Sequence, residues 1–246
     1  MRWAILVVVG ALLGLTASWI ADAFGGYSLR YRLTLEAMVE GRPVTGSGVI
    51  QVDYSKRPPL LPQVERVMYS VHGEAVVLDL GDRGVLFALL KDGSLRTGRD
   101  SPRRGEPRMI VPVAWWDRGI RGPDDVDRLG QLQGRRELGF DALPMLVRFE
   151  NLNDPASVKL VEPVDLAASF GPGVTLSRVT VEITRDPVTK QIEARLPWLA
   201  SVGVERGSLI PMPRGFMGDI VPIQLVNTLD FSTAIDLSKS RSDKSR

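Results

Sequence analysis

His72 is the single histidine of the chain, and its neighbours make it the first place to look for chemistry. Ser70 and Glu74 lie two residues to either side, so in an extended strand all three side chains share one face. A hydroxyl, an imidazole and a carboxylate on one face are the parts of a nucleophile, base and orienter set. The competing reading is a structural histidine held by a hydrogen bond. No G-x-S-x-G elbow surrounds any serine. A lone histidine excludes, within one chain, the zinc centres that need two. The absence of cysteine excludes a thiol nucleophile, thiolate metal ligands, disulfides and a lipid-modified N-terminal cysteine.

The next candidates are carboxylates and arginines. Asp124, Asp125 and Asp127 offer oxygens of the kind a hard cation takes, but the loop pattern of a calcium site is missing. They fit a helix start, where negative charge is favoured. Asp79 and Asp82 flank Gly81 and suit a turn. A glycosidase-like carboxylate pair stays open, because such pairs form in space and not in sequence. No residue set points to a cofactor or a metal. Between Lys91 and Arg108 stand six basic residues against three acidic ones. Arg96, Arg99, Arg103, Arg104 and Arg108 are the candidate contacts to an anionic lipid or an envelope partner. A solvated loop is the alternative, since Asp92, Asp100 and Glu106 are interspersed.

The elements that must position these residues read mainly as strands. Tyr31, Leu33 and Leu35 alternate with polar residues, and Ile50, Val52 and Tyr54 share a face, which predicts a hairpin over Tyr31–Asp53 turning at Glu40–Pro43. Gly46 and Gly48 inside its second strand predict a bulge or a close backbone approach. A break follows at Lys56–Pro62. A second hairpin is expected from Glu65–Leu80 and Gly84–Leu90, with Val85–Leu90 buried on both faces. Pro102 and Pro107 bar regular structure in the basic loop.

Met109–Trp116 is expected as a strand, with one of Trp115 and Trp116 inside and one outside. A short helix is expected from Pro123, then strands at Pro144–Glu150 and Ser157–Val161 and a short helix over Pro163–Gly171. Val174–Thr184 alternates with one slip near Ser177–Arg178, and a turn at Asp186–Thr189 leads into Gln191–Leu196. A last strand is placed at Ile220–Leu225. The fold class is therefore mainly β, a sandwich or a bent, partly closed sheet of eight to ten strands with one or two short helices. No repeat period is visible.

The chain starts with an uncharged, eighteen-residue apolar run, Trp3–Ile20, behind Arg2. Two readings stand side by side. One is a cleaved signal peptide, cut after Ala21-Asp22-Ala23 and before Phe24. The other is a retained hydrophobic helix, close to the roughly 20 residues that cross a bilayer. Arg2 favours an N-terminus inside, whereas Arg30 and Arg32 oppose it. The organisation is residues 1–23 as signal peptide or anchor, 24–237 as one exported domain, and 238–246 as a basic disordered tail. The net charge of +2 gives no case for nucleic-acid binding.

Several stretches resemble a group of uncharacterised proteobacterial proteins. They are Tyr31-Arg32-Leu33-Thr34-Leu35-Glu36, Gly73–Gly81, Phe87-Ala88-Leu89-Leu90, Leu143–Val147, Asn153-Asp154-Pro155 and Phe170-Gly171-Pro172-Gly173. The resemblance implies a bacterial envelope setting, with the domain in the periplasm or held at the inner membrane facing it. It brings no activity. The expected function is a non-catalytic binding or scaffolding module. The alternatives are an envelope-acting enzyme using carboxylates or His72, and a small immunity or inhibitor protein.

Overall fold

The longest alternation in the sequence becomes the longest hairpin. Strand β1 (Gly26–Val39) pairs antiparallel with β2 (Arg42–Lys56) from Gly26 opposite Ser55 to Val39 opposite Arg42. The turn is the two residues Glu40 and Gly41, both at positive φ (50° and 78°). Leu29, Tyr31, Leu33, Leu35 and Ala37 of β1 and Ile50, Val52 and Tyr54 of β2 are buried on one face. Each such aliphatic side chain contributes roughly 1.5–3 kcal/mol by leaving water. The computed structural model describes residues 25–57, 66–93, 104–200, 209–210 and 222–233. The leader, the prolines of the 58–62 break and the tail 238–246 lie outside them.

The protein is mainly β, with two antiparallel sheets and four helices among the described residues. The first sheet has the order β3-β2-β1-β9-β6, with β3 at Val67–His72, β6 at Arg135–Glu137 and β9 at Val174–Ile183. The slip expected in β9 is real. Glu36 faces Arg178 and Ala37 faces Leu176, which leaves Ser177 as the extra residue of a bulge. The second sheet has the order β4-β5-β7-β8, with β4 at Val76–Asp79, β5 at Val85–Asp92, β7 at Pro144–Phe149 and β8 at Val158–Leu160.

The expected second hairpin exists as β4 and β5, joined through a 3-10 turn at Gly81–Arg83. Its first arm is divided, however. Val67–His72 pairs with β2 in the first sheet, and the chain changes sheets at Gly73–Ala75. Gly46 permits the two sheets to meet: a Cβ there would stand 2.1 Å from the carbonyl oxygen of Val77 in β4. This is the close backbone approach that a glycine inside a strand signals.

The second sheet is buried on both faces, as the run Val85–Leu90 predicts. Leu86, Ala88 and Leu146 face the first sheet across the larger core. Phe87, Leu89, Met145, Val147 and Phe149 face a smaller core closed by Ile192, Leu196, Trp198, Leu199, Val226 and Phe231. Phe231 touches three aromatic rings, with centroids 6.1 Å from Phe87, 5.7 Å from Phe149 and 6.1 Å from Trp198.

Five expectations are corrected. Met109–Trp116 is not a strand; it lies in helix α1 (Pro107–Trp116). A strand there would lose a ladder donor at Pro112, whereas Pro107 at the first helical position has no amide to lose. Pro107 therefore starts regular structure and does not bar it. Gln191–Leu196 holds helix α4 (Ile192–Arg195), and the described part of Ile220–Leu225 is a 3-10 turn at Pro222–Leu225. Among the described residues the helices number four, not one or two, with α2 at Pro123–Leu129 and α3 at Leu166–Phe170. The start of α2 at Pro123 agrees with expectation, whereas α3 starts later than the expected Pro163, behind an Asp165 cap. Strand β6 carries no alternation of its own and was not expected; pairing with β9 creates it.

Candidate functional site

Strand register decides what His72 meets. His72 lies opposite Gln51, and Ser70 opposite Asp53, on the outer face of the first sheet. The imidazole Nε2 stands 2.9 Å from Asp53 Oδ2, with 54% of the histidine side chain exposed. Asp53 also accepts the hydroxyl of Ser28 and the amide of Gln51 (2.9 Å), and Gln51 accepts Arg30 Nε (2.7 Å). Glu74 is not the partner. Its Oε2 accepts the backbone amides of Gln191 (2.5 Å) and Ile192 (3.0 Å), which locks β4's approach to α4. The order of contacts is hydroxyl, carboxylate, imidazole. A nucleophile needs its hydroxyl on the imidazole, and Ser28 is on the wrong neighbour. The groove here, about 480 Å³, is also bordered by Arg30 and Lys190.

Of the aspartates in α2, Asp124 is exposed, and Asp125 and Asp127 are held by cations. Asp125 takes both Arg118 nitrogens (2.7 and 2.9 Å), the amide of Arg121 (2.9 Å) and Arg128 (3.3 Å). Chiefly through the Arg118 hydrogen bond, its carboxyl is held down to about 2. Asp127 pairs with the buried Lys56 at 2.6 Å. Asp79 pairs with Arg195 at 2.8 Å. The centre of the Trp116 ring is 5.4 Å from the guanidinium of Arg118 and 4.8 Å from that of Arg128. Neither Trp115 nor Trp116 is fully inside or outside, because neighbours on a helix are turned by about 100° and not 180°. Among the described residues, no group of three or more acidic or histidine side chains is placed to hold a metal ion.

Of the basic candidates, Arg96, Arg99 and Arg103 lie outside the described residues. Arg104 is tied to Asp117 (2.6 Å) and Asp141 (3.0 Å) and braces the approach to α1. Arg108 is different. It borders a cleft of about 230 Å³ with Arg66, Arg121, Tyr54, Tyr69 and Met109. Its Nε bonds Glu106 at 2.8 Å and its guanidinium lies 4.3 Å from the centre of the Tyr69 ring. Arg66 and Arg121 are exposed, and no described side chain forms a hydrogen bond or ion pair with their guanidinium groups.

Three elements assemble this cleft. Tyr54 and Tyr69 are cross-strand neighbours on the inner face of β2 and β3. Helix α1 is pinned above them by two phenols: Tyr31 donates to the carbonyl of Pro107 (3.1 Å) and Tyr54 to that of Arg108 (2.6 Å). Burial pushes the pKa of both phenols up, so they stay protonated and remain donors. The amide of Arg121 on Asp125 fixes the third wall at the start of α2. Guanidinium groups in such a set match phosphate or carboxylate oxygens in pairs. Sequence reasoning reached Arg108 but missed Arg66, Arg121, Tyr69 and Asp53. No local pattern marks them, since register and the α1 helix bring them together.

No family model matches this chain, and no curated protein or solved structure does.

Proposed function

We propose that the chain is a non-catalytic binding module of the bacterial cell envelope that holds a partner through an anionic group. The observation that carries this reading is the Arg66–Arg108–Arg121 cleft, in which two of three guanidinium groups have no described acidic partner while an aromatic ring stands beside them. The apolar leader and the resemblance to uncharacterised proteobacterial proteins support the envelope setting, in the periplasm or at the inner membrane with the domain facing the periplasm. In this reading the leader forms a hydrophobic helix, and the two sheets with their shared core make a sandwich. Among the described residues no helix is long and apolar enough to cross a membrane, and the leader lies outside them.

Retention on a phosphate-bearing matrix tests the cleft. Arg66→Ala/Arg108→Ala/Arg121→Ala should elute at clearly lower salt than Arg42→Ala/Arg135→Ala/Arg178→Ala, which loses the same charge elsewhere. Equal elution would sink the reading, and so would turnover of envelope substrates by the purified protein.

A second reading, an envelope-acting enzyme, is favoured by the His72–Asp53 pair facing an open groove. It requires an activity that His72→Ala removes without unfolding the protein.

A further inference from the structure

The cleft and the start of β1 lie at the same end of the first sheet. Gly26 faces Ser55, and Ser55 faces Met68, in one row across β1, β2 and β3. With strands about 4.8 Å apart, Gly26 is roughly 10 Å from Met68. The carbonyl of Gly25 accepts the amide of Lys56 (2.8 Å), so the chain is already tied to this end before β1 starts. The Glu40–Gly41 turn, at the opposite end of a fourteen-residue strand, is about 45 Å away. Five residues separate the end of the uncharged apolar run, Ile20, from Gly26. They reach at most about 20 Å.

We propose that this end of the domain docks on the bilayer, with Arg66, Arg108 and Arg121 taking the phosphate of anionic lipid headgroups. The proposal rests on the anion-binding reading of the cleft and on retention of the leader. A retained leader leaves no freedom to turn this end far from the membrane. The charge there suits the ligand. Arg57, Arg66 and Arg121 are exposed around the cleft. Three of the nearby acidic side chains are engaged, Glu106 with Arg108, Asp127 with Lys56 and Asp125 with Arg118, and Asp124 is exposed. The edge strand adds two large exposed side chains, Met68 (39%) and Tyr69 (40%), one on each face. An aromatic ring beside guanidinium groups is the pattern of an interfacial contact, with the ring at headgroup depth and the charges on phosphate.

The absence of native cysteine makes the test direct. Full-length Ser55→Cys and Arg42→Cys proteins are labelled with a fluorophore in nanodiscs whose lipids carry a headgroup quencher. The Ser55→Cys label should be quenched about threefold more in phosphatidylglycerol-containing discs than in phosphatidylcholine discs, and the Arg42→Cys label in neither. Adding Arg66→Glu/Arg121→Glu, or the milder Arg66→Gln/Arg121→Gln, should return the first label to its neutral-disc level. Quenching at residue 55 that ignores lipid charge, or survives both pairs of substitutions, overturns the proposal. Inorganic phosphate is titrated in phosphatidylcholine discs. A saturable response to it, with none to lipid charge, would assign the cleft to a soluble anion and leave the binding-module reading intact. An intact mass starting at Phe24 would overturn docking through a retained leader while leaving that module reading standing.

Discussion

The hydroxyl of Tyr54 donates to the carbonyl of Arg108 at 2.6 Å, in the place that Pro112 leaves empty. In an α-helix the amide four residues on would fill that place, and Pro112 has none. The sheet thus supplies the missing helical donor, and in doing so it sets Arg108 at the rim of the cleft.

This relationship predicts a coupling. Tyr54→Phe leaves a partly buried carbonyl without its donor and should cost about 1–2 kcal/mol. In a Pro112→Ala background the helix regains its own amide, and the same substitution should cost measurably less. A double-mutant cycle by denaturant unfolding checks it; strictly additive costs would mean the two do not share the carbonyl.

Gly46 is where the sheets touch. A Cβ placed 2.1 Å from the Val77 carbonyl forces backbone to move, since no flexible side chain can give way. Gly46→Ala should therefore destabilise by roughly 2–4 kcal/mol, in the range of overpacking with backbone displacement. Thermal unfolding measures it, and a change within about 0.5 kcal/mol, as for an ordinary surface site, would contradict this contact.

Asp125 predicts an acid response. Its folded carboxyl is lowered to about 2 from the ordinary value of 3.8, chiefly by Arg118. A lowered carboxyl adds stability above the ordinary value, and that stability is lost as pH falls from there toward 2. Asp125→Asn should cost roughly 2–4 kcal/mol at neutral pH, because Arg118 and Arg128 lose their shared partner. Wild type and variant should converge as pH approaches 2. Tryptophan fluorescence during acid unfolding reports this through Trp116, which the same two arginines flank.

Phe231 holds the far side of the second sheet. It is fully buried among Phe87, Phe149 and Trp198. Phe231→Ala should cost about 3–5 kcal/mol and raise amide exchange in Ala75, whose N–H donates to the Phe231 carbonyl (2.8 Å). Unchanged exchange at Ala75 would show that residues 222–233 stay docked without the ring.

Much of the fold follows from local pattern. Alternation from Tyr31 to Tyr54 is enough for the hairpin, because period two has only one half-buried solution. Gly46 announced its close contact, Ser177 its bulge, and Gly171 the end of α3. Uniform apolar runs are the exception, since they carry no period. Val85–Leu90 became a strand and Met109–Trp116 a helix from similar composition. Pro107 at a helix start and Pro112 against a ladder are what separate them.

Function-bearing geometry was less legible. The sequence alone determined that the chain has one histidine, no cysteine, an eighteen-residue apolar run behind Arg2, and strands able to bury one face or two. Those are properties of composition and of spacing within a few residues. Tertiary structure decided that His72 meets Asp53 and not Glu74, because cross-strand neighbours are set by register. It also decided that Arg66, Arg108 and Arg121 share a cleft, 55 positions apart in the chain at the extremes. Contacts at that separation depend on which sheet each strand joins and on where α1 is pinned, and no local periodicity encodes either.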